Sequence, residues 1–74
     1  MNDQEKLAAL EDIMEIDEGS LKPETRLEDL EEWDSLSALS FVVLMGDEFD
    51  KKISGKEIRA FETIRDMMNV MEKA

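Results

Sequence analysis

The chain has 74 residues, no histidine, no cysteine and a formal net charge of -11. Without histidine and cysteine, it lacks the groups of Ser-His-Asp and Cys-His catalysis and the ligands of most zinc sites. Disulfides are excluded, and no apolar run approaches the roughly 20 residues of a membrane span. We therefore expect one monomeric, cytoplasmic domain over residues 1–74 that is not itself an enzyme and holds no metal.

The negative charge is concentrated in the first two-thirds of the chain. Residues 1–50 carry 16 acidic and 3 basic side chains, a net charge of -13, whereas residues 51–74 carry 4 and 6, a net charge of +2. Six of the acidic residues fall within residues 24–34. Such a field repels nucleic acid and anionic membranes and favours basic protein partners. A face that serves only solubility is the alternative interpretation.

The first predicted element is an amphipathic helix over about residues 3–15. Its apolar positions recur at helical spacing: Leu7, Leu10, Ile13 and Met14. Gly19 and Pro23 stop any continuation of this helix. The loop that follows contains four large apolar residues, which a solvated linker does not need, so we expect the loop to pack across the bundle. These residues are Leu21, Leu27, Leu30 and Trp33.

The longest predicted helix runs from about Ser35 to Phe49. One apolar row contains Leu36, Leu39, Val42, Val43 and Gly46, and an adjoining row contains Phe41, Met45 and Phe49. Because a chain this short has little core in which to bury so wide an arc, we expect part of the first row to be exposed, including Leu36, Leu39 and Val43. A buried strand over residues 41–45 is the alternative, but no other segment offers a similar strand to pair with it.

Two short helices are predicted in the last third of the chain. Ser54 and Glu57 form a capping-box pattern for a third helix that ends near Ala60. Thr63 and Asp66 form a weaker version of this pattern before a last helix. That helix should extend to about Glu72, with an inner stripe of Ile64, Met67 or Met68, and Met71. The expected fold is an all-α four-helix bundle with a short third helix and a long loop between the first two.

Methionine is frequent among the predicted core positions. Met14, Met45, Met67, Met68 and Met71 have flexible side chains that fill gaps in a small core. An interior that opens to admit an apolar guest chain is the alternative interpretation.

The segment Glu32-Trp33-Asp34-Ser35-Leu36 sets a serine at the start of the longest helix. A serine at this position usually caps the helix, but Asp34 can accept the same hydrogen bonds. We therefore expect Ser35 to lie in the first turn with its hydroxyl directed outward, where another molecule can modify it. The chain offers no nearby base that would make Ser35 its own nucleophile.

These features resemble the acyl carrier protein family over nearly the whole chain. The Asp34-Ser35-Leu36 triplet lies about halfway along a small acidic chain, and its helix ends in Gly46-Asp47-Glu48-Phe49. The Leu27-Glu28-Asp29-Leu30 loop, Ile53 and the segment Phe61-Glu62-Thr63-Ile64-Arg65-Asp66 also fall where this family has equivalents.

The resemblance implies a modification at Ser35. A separate phosphopantetheinyl transferase would attach 4'-phosphopantetheine from coenzyme A to Ser35, with Asp34 and Leu36 on either side of the attachment site. Magnesium would serve that transferase. The thiol of the arm would then hold an acyl or aminoacyl group as a thioester. Free N–H groups and the dipole at the helix start favour the phosphate that arrives there.

The resemblance also implies partner enzymes with basic docking surfaces: an acyl- or aminoacyl-loading ligase and acyl-transfer or condensing enzymes. In this family such partners bind the second helix through an apolar patch and acidic residues. The matching positions are Leu36, Leu39 and Val43 for the apolar contacts and Asp34, Asp47 and Glu48 for the acidic ones.

Some positions depart from the pattern of fatty-acid carriers. Ser37 and Ser40 stand where those carriers commonly have acidic residues, and Gly46 replaces another frequent acid. A less charged recognition face favours a dedicated carrier for one specialised pathway. The segment Trp33-Asp34-Ser35 does not match the Gly-Gly-x-Ser motif of carriers in nonribosomal peptide assembly.

The alternative from another class is an acidic helical adaptor that binds a basic protein and carries no prosthetic group. It accounts for the charge, the helices and the exposed apolar arc. It gives no reason for a serine at position 35.

Overall fold

The computed structural model describes residues 2–72, and this part of the chain contains four α-helices. They are α1 (Asp3–Met14), α2 (Ser35–Phe49), α3 (Gly55–Ala60) and α4 (Ile64–Val70), and a 3-10 turn over Leu27–Asp29 lies in the loop between α1 and α2. Helix α1 packs against both α2 and α4. The expected all-α bundle, with its short third helix and long first loop, is confirmed. Residues 1, 73 and 74 of the expected domain lie outside the described residues.

The alternative strand over residues 41–45 is wrong, because this segment lies inside α2. Between residues 2 and 72, β pairing is limited to one isolated antiparallel bridge between Arg26 and Thr63. In the same part of the chain, no helix combines the length and apolar character that a membrane crossing requires.

The ends of the two long helices follow from local hydrogen bonds. Asn2 caps α1 in a reciprocal box, in which Glu5 N–H donates to Asn2 Oδ1 (2.8 Å) and Asn2 N–H donates to Glu5 Oε1 (3.0 Å). Helix α1 ends where Glu15 adopts a left-handed backbone, with φ of 56°. Helix α2 has the predicted bounds and ends before Asp50, which is also left-handed, with φ of 51°.

Both short helices begin at their predicted caps, Ser54 for α3 and Thr63 for α4. Ser54 Oγ accepts the Glu57 N–H at 3.2 Å, but the Glu57 carboxylate lies against the Ser54 hydroxyl, so only one half of the expected box forms. Thr63 and Asp66, the weaker of the two sequence patterns, form the complete reciprocal box. Asp66 Oδ2 accepts the Thr63 N–H at 3.1 Å, and Thr63 Oγ1 accepts the Asp66 N–H at 3.4 Å.

The prediction that the last helix extends to Glu72 is wrong, because α4 ends at Val70. Two lysines from distant parts of the chain bind carbonyl groups at its C-terminal end. Lys6 Nζ donates to Met68 O at 3.3 Å, and Lys51 Nζ donates to Val70 O at 3.2 Å. Cations are favourable at a helix C-terminus, where the last carbonyl groups lack partners within the helix.

The core lies between the helices and the long loop. Among the described residues, twelve apolar side chains are buried: Leu10, Met14, Leu21, Leu27, Phe41, Met45, Phe49, Ile53, Ile64, Met67, Met68 and Met71. The structure buries the adjoining row of α2, and the predicted inner stripe of the last helix is confirmed, with both Met67 and Met68 buried. Phe41 makes edge-to-face contacts with Trp33 on one side and Phe61 on the other, at ring distances of 6.5 and 5.8 Å.

The loop between α1 and α2 is tied to the bundle, as its apolar residues predicted. The buried Glu11 carboxylate accepts the Leu21 N–H at 3.0 Å near the start of the loop. Further along, backbone hydrogen bonds join it to the start of α4: Leu27 N to Glu62 O (3.0 Å), Ile64 N to Thr25 O (2.9 Å) and Arg65 N to Pro23 O (2.8 Å). The loop therefore holds a defined course toward the start of α2.

Candidate functional site

Ser35 is the first residue of α2 and is exposed to solvent. Asp34 precedes it with an extended backbone and caps the helix, because its Oδ1 accepts the Ser37 N–H at 2.9 Å. The predicted division of roles is thus confirmed: aspartate is the cap, and the serine is left in the first turn. Within residues 2–72, no hydrogen bond engages the Ser35 hydroxyl.

The cap also affects the titration of Asp34. The hydrogen bond from the Ser37 N–H holds the pKa of the Asp34 carboxyl below its ordinary value, because this bond favours the ionised form. A carboxyl with a lowered pKa in the folded protein stabilises the fold above the pKa of the unfolded chain, about 3.9 for aspartate. That stabilisation is lost as the pH falls through the lowered folded value.

Asp34→Asn is expected to remove this pH dependence, because asparagine can still cap the helix but does not ionise. The difference in melting temperature between wild type and D34N should be largest above about pH 5 and should shrink as the pH falls below 4. Thermal melting followed by circular dichroism measures this difference. A range from about pH 2.5 to 7 is suitable, because it includes the ordinary pKa of aspartate, about 3.9. A constant difference across this range would contradict the expectation.

An apolar face on α2 begins beside Ser35. Leu36, Leu39 and Val43 are 71%, 61% and 54% exposed, as predicted, and they are the large exposed apolar residues of the described part of the chain. Their spacing of three and four places them along one side of the helix. We call these three residues the α2 apolar face. Beside it, a groove between α1 and α2 is lined by Ile13, Leu39, Ser40, Val43 and Leu44.

Asp47 and Glu48 are exposed near the other end of α2. Asp47 follows Val43 by four residues and therefore continues the line of the α2 apolar face. At 1.5 Å per residue, Asp47 lies about 18 Å along the helix from Ser35. The structure thus brings Asp34, Ser35 and Leu36 together at the start of α2, whereas the acidic pair lies at the far end of the same surface.

Ser37 was expected on the exposed recognition face, and this expectation is wrong. It is only 7% exposed, and its hydroxyl donates to the Glu32 carbonyl oxygen at 2.6 Å. The spacing of four residues from Ser37 to Phe41 and Met45 is the sequence signal that could have placed it on the inner side of α2.

The loop before Ser35 is densely negative and open to solvent. All six acidic residues between positions 24 and 34 are exposed: Glu24, Glu28, Asp29, Glu31, Glu32 and Asp34. In the part of the chain that the structure describes, the ion pairs are Arg26 with Glu28 at 2.9 Å and Arg65 with Asp3 at 3.6 Å, both at the surface. Most of this negative charge is therefore available to a partner. Over the same residues, no group of His, Cys, Asp or Glu side chains is arranged to hold a metal.

A small acidic helical bundle that presents an unengaged serine at the capped start of its longest helix defines a carrier-type domain. A family model described as a phosphopantetheine attachment site matches residues 7–71, and the chain belongs to this family. It is a phosphopantetheine carrier, of a kind that holds 4'-phosphopantetheine covalently and is typically not a catalyst. No solved structure gives a significant match to the chain.

The residues at the start of α2 fit such a group. The Ser35 hydroxyl is exposed, and the N–H groups of the first helical turn are directed toward the same end of the helix. Asp34 accepts a hydrogen bond from one of these groups, the Ser37 N–H. The N–H groups of Ser35 and Leu36 come earlier in the same turn. A phosphate joined to the serine oxygen would meet the positive end of the helix dipole.

Proposed function

We propose that Ser35 is the attachment site of 4'-phosphopantetheine, and that the chain carries acyl or aminoacyl groups on this arm as thioesters. In the attachment step, the Ser35 oxygen displaces adenosine 3',5'-bisphosphate from coenzyme A and forms a phosphodiester. The serine proton passes to a base of the phosphopantetheinyl transferase, since the neighbouring Asp34 carboxylate is engaged as the helix cap. When attached, the arm supplies the thiol that the sequence lacks.

The observation that carries this proposal is the division of roles between Asp34 and Ser35. Asp34 makes the capping hydrogen bond that a serine at a helix start would otherwise make, so the Ser35 oxygen remains accessible. A serine kept only for capping would have its oxygen engaged by a backbone N–H. Asp34 and Leu36 flank the site and, in this proposal, contribute to its recognition by the transferase.

We further propose that the α2 apolar face, with Asp34, Asp47 and Glu48, docks partner enzymes that have basic surfaces. These partners are the transferase, an acyl- or aminoacyl-loading ligase, and acyl-transfer or condensing enzymes. Three large apolar residues exposed along one side of a helix support this role. Apolar residues exposed singly are normal on protein surfaces, whereas a group of them indicates an interaction site. The net charge of -11 supports basic partners and opposes nucleic acid.

The proposal extends to a dedicated carrier in a specialised biosynthetic pathway. Between Ser35 and Gly46, α2 carries no charged side chain, so partners would recognise this stretch mainly through apolar contact. We propose that the chain acts as one monomeric domain in the cytoplasm, where coenzyme A is available. A Cα radius of gyration of 11.0 Å, near the ~11 Å expected of one compact domain of this length, supports a self-contained unit.

Intact-mass measurement tests the attachment site. Incubation with coenzyme A, magnesium and a promiscuous phosphopantetheinyl transferase should add about 340 Da, the mass of one arm, to the wild-type protein. Ser35→Ala should gain nothing, whereas Ser37→Ala should still gain the full mass at completion. A gain in S35A would overturn the assignment of Ser35. No gain in folded wild-type protein would overturn the carrier proposal and favour an acidic adaptor.

A further inference from the structure

Ser37 joins the two stretches of backbone on either side of Ser35. Its N–H donates to Asp34 Oδ1 at 2.9 Å, and its hydroxyl donates to Glu32 O at 2.6 Å. At 7% exposure, the Ser37 side chain is not available to another molecule. The hydroxyl therefore serves inside the protein, where it fastens the end of the acidic loop to the first turn of α2.

These bonds close a short ring of backbone that contains Ser35. The segment from Glu32 to Ser37 is held at both ends by the Ser37 hydroxyl bond, and we call it the Ser35 loop. Trp33 extends the support, because its N–H donates to Leu30 O at 3.2 Å and its ring contacts Phe41. The backbone around Ser35 is thus fixed from both sides, while the Ser35 hydroxyl itself remains unengaged in the described part of the chain.

We infer that Ser37 is a positioning residue that holds the Ser35 loop in the form that the transferase recognises. This inference rests on the proposed attachment at Ser35. If the Ser37 hydroxyl is removed, Glu32 O loses its partner and the loop samples other arrangements. Only the fraction of molecules in the correct arrangement can bind productively, so the apparent KM for the carrier rises by the inverse of that fraction.

Transferase kinetics with Ser37→Ala tests the inference. In S37A, the KM of the transferase for this protein should increase about three- to tenfold, which corresponds to the net stabilisation from one hydrogen bond. The kcat should stay within about twofold, because a molecule that has bound already has the correct loop. Ser37→Thr keeps a hydroxyl at this position and should restore most of the wild-type KM. Ser20→Ala removes an exposed serine hydroxyl in the first loop and should leave both constants unchanged.

A local readout separates positioning from a general loss of stability. Trp33 is the single tryptophan of the chain and lies inside the Ser35 loop. Acrylamide should quench its fluorescence more strongly in S37A than in wild type or S20A, at a temperature where circular dichroism shows all three proteins folded. A lower melting temperature without this increase in quenching would indicate a merely structural role.

Two kinetic results would also overturn the inference while the proposed function stands. One is a wild-type KM in S37A. The other is an S37T variant that is folded but no better than S37A. If the wild-type protein gains no mass at all, the proposed function fails instead, and the quenching comparison alone then shows whether Ser37 holds the loop.

Discussion

Phe41→Ala is expected to lower the free energy of unfolding by about 4 kcal/mol, because truncating a buried phenylalanine typically costs 3–5 kcal/mol. Phe41 is fully buried in the middle of α2, and its ring touches those of Trp33 and Phe61. The lost contacts join the loop before Ser35 to the connection between α3 and α4. Since native proteins have only about 5–15 kcal/mol of stability in total, this variant should lose a large share of it.

Urea unfolding followed by circular dichroism measures this loss. Leu39→Ala is the matched control, because Leu39 lies on the same helix but is 61% exposed. Its free energy of unfolding should stay within about 0.5 kcal/mol of wild type. Equal losses in the two variants would mean that the inner and outer sides of α2 are wrongly assigned.

The double variant Leu36→Ala/Leu39→Ala is expected to lower the transferase kcat/KM about 10- to 100-fold, because each leucine side chain is worth 1.5–3 kcal/mol when fully buried and alanine retains part of this. Both residues are mostly exposed in the free protein, so they can become buried only against a partner. The loss should appear mainly as a higher KM for the carrier, while the melting temperature changes little.

Lys56→Ala serves as the control for this experiment, because it shortens an exposed side chain on a different helix, α3. Its kcat/KM should match that of wild type. If the double leucine variant reacts as fast as wild type, the transferase docks elsewhere on the chain. The attachment at Ser35 would be unaffected by that outcome, since intact mass tests it separately.

The long second helix could be predicted from sequence because its signals are local. Asp34 supplies a cap at one end, and the two apolar rows, of which one is buried, identify an α-helix with an exposed side. Exposure of the α2 apolar face followed from chain length alone, since a small core cannot cover so wide an arc. The role of Ser35 as attachment site and the docking role of this face stay predictions.

The end of α4 and the burial of Glu11 and Ser37 could not be predicted from sequence, because they depend on contacts with other segments of the chain. The predicted end of α4 is two residues too late, and the two lysines that bind its last carbonyl groups could not be foreseen, because Lys6 and Lys51 lie 62 and 19 residues away from their partners. The burial of Glu11 was unexpected, because a carboxylate is rarely buried and its partner N–H belongs to the following loop. Ser37 was judged against the acidic residues of related carriers, whereas its neighbours in space are the Glu32 carbonyl and the core.

The methionine content of the core has a consequence for the chemical lifetime of the protein. In the part of the chain that the structure describes, five of the twelve buried apolar residues are methionines, and each of the five is at most 4% exposed. Oxidants should therefore reach these sulfur atoms only in molecules that have opened. A sulfoxide adds a polar oxygen to a side chain packed in an apolar cluster, and burying that oxygen without a partner is costly, so an oxidised molecule would refold poorly. The oxidised fraction would thus grow in proportion to the time that molecules spend open. An oxidised molecule would remain poorly folded until a methionine sulfoxide reductase reduced it.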